Sequence, residues 1–160
     1  MYKNKNLNHI GLDSKKSKEV AENLNNLLSD FQLFYMNLRG FHWNIKGEKF
    51  FELHLKFEEL YNDAQLKIDE IAERVLTLGF TPIHTYSDYI KKSQIKEASD
   101  ISDGKIALKS IIETLTSIII SEREILNMAN DANDEGTNAL MSDYIREQEK
   151  LMWMLKSYLN

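Results

Sequence analysis

Apolar residues recur every three or four positions over four long stretches of this chain, and that spacing constrains the fold more than any other feature. A step of three or four residues places side chains on one face of an α-helix. The chain contains one proline, Pro82, and six glycines among 160 residues, so little interrupts long helices. An all-α fold is therefore predicted.

Local signals set the predicted helix bounds. Ser14 or Ser17 is expected to cap the first helix, whose apolar face runs over residues 20–41. A polar turn over residues 44–47 separates it from a second helix, which ends at Gly79 because a glycine there can close the helix and Pro82 follows. The remaining predictions are a connection over 80–101 with a short helix near Ser87–Lys92, a third helix from Ser102 or Asp103 to about Asn130, and a fourth capped by Thr137.

Four long amphipathic helices with a short first turn and one long crossover between helices two and three describe a ferritin-like four-helix bundle. The length suits a single domain over residues 1–160. Within it, residues 1–16 are predicted to be a mobile N-terminal arm and residues 17–160 the bundle.

Composition excludes several classes of function. The chain has no cysteine, so disulfide frameworks and thiolate chemistry are ruled out. No long apolar run indicates a signal peptide or a membrane span, so we expect a cytoplasmic protein with no membrane partner. The formal net charge of −5 argues against the folded surface as a nucleic-acid platform.

Two histidines and two acids form the candidate metal-binding set. His42 and His54 flank the first turn, while Asp69 and Glu73 lie one helical turn apart on the second helix. Imidazole nitrogens with carboxylate oxygens suit Fe(II), and also zinc or manganese. The alternative is that the acids belong to an ordinary solvated helix face.

The distance between the histidines and the acids limits how these four residues can bind one ion. His54 and Asp69 are fifteen residues apart on one predicted helix, or about 22 Å at 1.5 Å per residue, so one chain cannot bring them to one ion. A two-fold dimer with antiparallel second helices would bring each histidine end onto the partner's acid end. An outer apolar strip of Phe51, Leu55 and Leu66 lies on the same side as the acids and favours such an interface, although singly exposed apolar residues are the alternative.

A metal centre inside the bundle is disfavoured. Such a centre uses Glu-x-x-His pairs on two helices. No histidine of this chain has a glutamate three positions before it.

Three runs of residues are distinctive: Asn37-Leu38-Arg39-Gly40-Phe41-His42-Trp43-Asn44, Phe51-Glu52-Leu53-His54 and Asp69-Glu70-Ile71-Ala72-Glu73-Arg74. With these runs the chain resembles the Dps family of mini-ferritins over about residues 20–159. It implies that His42, His54, Asp69 and Glu73 are iron ligands shared across a dimer interface. It also implies a dodecamer built from two-fold dimers that oxidises Fe(II), preferably with hydrogen peroxide, and stores Fe(III).

The expected activity is therefore that of a ferroxidase and iron store that protects against oxidative damage. Each site would hold two iron ions, or one tight and one weak. Trp43, beside His42, is interpreted either as an electron donor to the site or as an aromatic residue packed at the interface. Asp131, Asp134 and Glu135 are candidates for an iron-entry pore, the alternative being an acidic loop with charges that favour a helix start.

A structural function, DNA binding and compaction, is the alternative class. Residues 1–18 contain five lysines and one aspartate, a balance of +4. Several such arms on one assembly would bind phosphates multivalently. Against this stands the net negative charge of the whole chain, so DNA binding is expected to be weak and sensitive to salt.

Overall fold

The computed structural model describes residues 6–160, which form five α-helices. Their bounds are α1 Ser14–Asn44, α2 Phe50–Thr77, α3 Tyr86–Lys92, α4 Gly104–Asp131 and α5 Glu135–Leu159. The four long helices, the crossover between the second and third of them and its short extra helix are as predicted. The all-α four-helix bundle is therefore confirmed.

Aspartates, rather than the predicted hydroxyl residues, begin three of the long helices. Their carboxylates accept a hydrogen bond from the backbone N–H three residues later: Asp13, Asp103 and Asp134. Asp103 was one of two predicted starts, but the expected caps Ser14, Ser17 and Thr137 lie inside their helices. The prediction of those caps was wrong because an aspartate shortly before each one supplies both the acceptor and a charge that favours the helix dipole.

The N-terminal segment is attached to the bundle from residue 6 onward. The side-chain oxygen of Asn8 accepts from the backbone of Leu12 at 3.0 Å, and its amide donates to the carbonyl oxygen of Leu78 at 3.4 Å. Since α1 starts at Ser14, the predicted arm boundary at residue 17 is wrong. The prediction of a basic arm rests partly on Lys3 and Lys5, which lie outside the described residues.

The core is formed where α1 packs along α2 and α4, and α4 along α5. Phe31 and Phe57 are the largest of the fully buried side chains, and Phe31 meets Tyr144 of α5 edge to face at 6.3 Å. Burying a large apolar side chain contributes roughly 1.5–3 kcal/mol, so these contacts fix the relative positions of the helices.

The crossover runs along α1. Three polar side chains of α1 hold it: Asn25 accepts from the backbone of Ile83, the buried Asp30 from Gln94, and Asn37 from Ala98. At its end the backbone of Lys46 donates to the carbonyl oxygen of Ser102 at 3.0 Å. The start of α4 therefore lies against the turn between α1 and α2.

Candidate metal centre

The two predicted histidines form one compact unit beside the turn between α1 and α2. His42 lies near the end of α1 and His54 in the second turn of α2. Their rings stack with centroids 3.7 Å apart and planes 15° apart. Sequence spacing therefore correctly placed the two rings together.

Each histidine is hydrogen-bonded to the backbone of the other. His42 Nδ1 lies 2.7 Å from the carbonyl oxygen of His54, and His54 Nδ1 lies 2.8 Å from the carbonyl oxygen of His42. A carbonyl oxygen only accepts, so each Nδ1 carries the proton and donates it. In the neutral rings both Nε2 atoms then keep a free lone pair, which is the tautomer that a metal ligand requires.

Aromatic side chains fix the two imidazoles further. Phe50 stacks on His54 with centroids 5.0 Å apart, and Tyr61 meets His42 edge-on at 5.3 Å. His42 is buried and His54 is half-buried. The rings therefore have little freedom to turn, so the two Nε2 atoms are held in place by the protein itself.

Trp43 follows His42 in the chain, and its indole ring is covered by a positively charged side chain. The Arg39 guanidinium lies over the indole of Trp43 at 4.7 Å and also over the rings of Tyr35 and Tyr61. Such contacts contribute about 0.5–2 kcal/mol each, depending on exposure. The indole itself is 57% exposed, which fits either interpretation of Trp43, as electron donor or as interface aromatic.

Asp69 and Glu73 lie exposed on α2, well away from the histidines. The fifteen-residue separation of His54 and Asp69 lies within one continuous helix, so the spacing of about 22 Å applies. Within residues 6–160 of a single chain, no three histidine or acidic residues come close enough to hold an ion. The four predicted ligands are thus divided into a histidine end and an acid end.

The outer apolar strip is exposed, as the helical spacing predicted. Phe51, Leu55 and Leu66 are 79%, 60% and 64% exposed. They follow one side of α2 and end beside Asp69, where a partner surface would cover them. Despite this strip, no helix of the described residues is long and apolar enough to cross a membrane.

The acidic turn before α5 contains one inward-facing acid. Asp134 is buried, accepts from the Thr137 hydroxyl at 2.6 Å and is paired with Arg74 of α2 at 2.6 Å. The prediction of Asp134 as a pore residue therefore needs correction, because its carboxylate is used in capping α5 and in holding α2 to it. Asp131 and Glu135 remain exposed at the same end of the bundle.

Gly136 lies where this ion pair meets α5. A side chain added at Gly136 would start 2.6 Å from Nη1 of Arg74. The guanidinium would have to shift to make room for it, so the glycine leaves space for the observed contact with Asp134.

Comparison with known proteins gives a consistent result. A family model described as a ferritin-like domain matches residues 21–160. A DNA protection during starvation protein of Porphyromonas gingivalis is 44% identical over 92% of this chain and 93% of its own, and an uncharacterized protein of Haemophilus influenzae is 53% identical over 92% of each. The chain belongs to the Dps family.

Solved Dps structures superpose closely on this family member. The crystal structure of a DPS protein from Vibrio cholerae O1 matches with a TM-score of 0.96 and 54% identity over 97% of this chain and 98% of that one. That protein is described as a member of a broad superfamily of ferritin-like diiron-carboxylate proteins. A Dps protein from Bacillus brevis matches with a TM-score of 0.89 and 34% identity over 91% and 98% of the two chains.

The residues that pack around the two histidines were not predicted from the sequence. Arg39 lies four residues from both Tyr35 and Trp43, and Tyr61 lies seven residues after His54. This helical spacing could have placed them around the histidines. The reciprocal bonds to backbone carbonyls had no side-chain signal at all.

Proposed function

We propose that this Dps-family chain is the subunit of a ferroxidase and iron-storage shell, with each oxidation site shared by two subunits. The observation that carries the proposal is the division of the ligands on α2. A histidine pair with free Nε2 atoms lies at one end, two exposed acids lie at the other, and the outer apolar strip joins them. An antiparallel two-fold contact between α2 helices completes two identical sites.

Iron is the substrate that suits this donor set. Nε2 of His42 and of His54 would bind Fe(II), while Asp69 and Glu73 of the other subunit would supply anionic oxygens. Carboxylates bind the more highly charged Fe(III) product as well as Fe(II). With four protein ligands for two ions, or for one tight and one weak ion, water completes the coordination and leaves positions open to an oxidant.

The proposed oxidant is hydrogen peroxide. Two Fe(II) ions give up one electron each, the O–O bond of one peroxide breaks, and two protons are taken up to give two water molecules. Paired oxidation of this kind releases no hydroxyl radical, which would account for protection against oxidative damage. In the proposed dodecamer, Fe(III) collects in the central cavity, and exposed Asp131 and Glu135 would attract Fe(II) to an entry pore.

Anaerobic loading with Fe(II) followed by peroxide or oxygen tests the activity. We expect rapid oxidation with peroxide by the wild-type protein and near loss of it in His54→Ala and Asp69→Asn. His84→Ala and Glu124→Gln are matched controls, because both residues are exposed and lie away from the proposed site. Wild-type rates in the ligand variants would refute the site, and faster oxidation by oxygen would refute the peroxide preference.

DNA binding is a second candidate because the Porphyromonas gingivalis relative is named for DNA protection. The lysines at the start of α1 are only partly free to contribute. Lys16 donates to the backbone of Asp131 at 2.6 Å, and Lys18 lies 3.9 Å from Glu22. Any DNA binding would therefore depend largely on Lys3, Lys5 and Lys15, and would weaken steeply with salt as released counterions drive it.

A further inference from the structure

A glutamate is buried in the bundle, away from the proposed iron site. Glu122 of α4 has no exposed surface, and Gln148 of α5 is 3% exposed. The Gln148 side-chain amide donates to Oε1 of Glu122 at 2.8 Å. An ionised carboxylate in such a place would need several hydrogen bonds or a paired cation to offset its lost hydration.

The remaining oxygen of each side chain lacks a donor among residues 6–160. Oε2 of Glu122 and Oε1 of Gln148 are both buried, and neither accepts a hydrogen bond from a described residue. If Glu122 were ionised, both atoms would be acceptors with nothing to accept from. A proton on Oε2 of Glu122 would supply the missing donor, and donation to Oε1 of Gln148 would satisfy both atoms at once.

Neighbouring cations are already paired with other acids. From α2, Lys67 faces this region, but its ammonium is bonded to Asp63 at 2.7 Å and to Glu147 of α5 at 3.1 Å. Arg123, on α4 itself, lies 3.6 Å from Glu149. In the part of the chain that the structure describes, neither of these cations is therefore dedicated to Glu122.

Two further ionisable groups of the bundle are also bonded elsewhere. The Tyr144 hydroxyl of α5 donates to Glu70 of α2, and the buried acid of α1, Asp30, accepts from Ser93 and Gln94. Burial raises the pKa of Glu122 from its ordinary value of 4.5 to about 8, against smaller lowering effects of the Gln148 hydrogen bond and of Lys67.

We propose that Glu122 and Gln148 form a neutral, doubly hydrogen-bonded acid–amide pair that locks α4 to α5 and opens when Glu122 loses its proton. The Glu122 pKa is raised on folding, so the pair's contribution to stability is fully present below about pH 4.5. It is lost as the pH rises to about 8. The lock does not depend on iron, so its test is independent of the proposed function.

Infrared spectroscopy of the whole assembled protein tests the protonation directly. At pH 7 we expect a carbonyl stretching band of a protonated carboxyl group that disappears in Glu122→Gln. Glu124→Gln is the matched control, because Glu124 lies on the same helix but is exposed, and the band should persist there. Absence of the band in wild-type protein at pH 7, or its presence in Glu122→Gln, would overturn the proposal.

Unfolding by urea at a series of pH values tests the lock. Glu122→Gln keeps a neutral amide pair at every pH, so its stability should not carry the Glu122 titration. Between pH 4.5 and 8 the unfolding equilibrium constant of the wild type, relative to the variant, should rise on the order of a thousand-fold. An unchanged ratio would refute the lock.

If Glu122→Gln does not fold, the wild-type protein alone still tests the proposal. The wild-type infrared band can be titrated alone, and it should disappear with a midpoint above pH 7. A midpoint near the ordinary value of 4.5 would show that Glu122 is ionised at neutral pH and would overturn the proposal.

Discussion

Two complementary defective variants, combined in one dimer, test whether the iron ligands come from different subunits. One variant carries His42→Ala and His54→Ala, and the other carries Asp69→Ala and Glu73→Ala. Alone, each should be nearly inactive, because every site in its dimers lacks half its ligands. In a mixed dimer, one site receives both defects, while the other receives intact histidines from one chain and intact acids from the other.

The expected rescue follows from the geometry of α2. Random pairing of equal amounts gives mixed dimers for half of all dimers, and each contains one whole site of two. Mixed shells should therefore recover about a quarter of the wild-type sites. Ligands that converged within one chain would give no rescue at any mixing ratio, because every chain would remain defective.

The assay uses co-expressed chains with two different tags. Shells that carry both tags are purified, and the initial rate of Fe(II) oxidation by peroxide is compared with that of wild type per subunit. His42→Ala mixed with His54→Ala is the matched control. Both histidines of a site come from one chain, so these two variants cannot complement each other. No rescue in the first mixture, with mixed dimers verified by mass, or rescue in the second, would refute the divided site.

Three further predictions follow from the same structure. Leu66→Asp places a charge in the outer apolar strip, so light scattering should show a shift from the large assembly towards monomer. A large assembly that persisted at low protein concentration would argue against the strip as an interface. Asp134→Ala should destabilise the protein by about 3 kcal/mol in urea unfolding, because it removes a helix cap and leaves Arg74 without its buried partner. A cost below about 1 kcal/mol would show that this pair is not structural. Deletion of residues 1–12 should weaken DNA retardation in gels, and moderate salt should abolish what remains. DNA binding that survived both changes would come from another surface.

The helix pattern was predictable because apolar periodicity reports directly on burial. The four long helices, the crossover and the exposure of Phe51, Leu55 and Leu66 all followed from spacing along α2 and its neighbours. Helix starts were less accurate, because Asp13 and Asp134 compete with nearby Ser14 and Thr137 for the same capping role. Sequence spacing does not show which of several polar residues near a helix start will cap it.

Long-range polar partners could not be predicted at all. Arg74 and Asp134 are sixty residues apart, and Glu122 and Gln148 lie on different helices. Each is an ordinary charged or amide residue in sequence, and only the packed bundle shows that it is buried. The predicted pore residue Asp134 was misassigned for this reason. The sequence around an acid in a turn does not show whether its carboxylate faces solvent or a guanidinium.

The reciprocal bonds of the histidines to each other's backbone have a consequence for the timing of ligand ordering. Because His42 and His54 each take the carbonyl of the other as acceptor, the corner between α1 and α2 cannot close correctly without orienting both rings. The entropy cost of orienting the two rings is therefore met during folding of the chain, and in the proposed site an arriving ion would meet preorganised nitrogens. If the site is divided as proposed, the contact between two subunits, rather than a rearrangement of the histidines within one, would complete it.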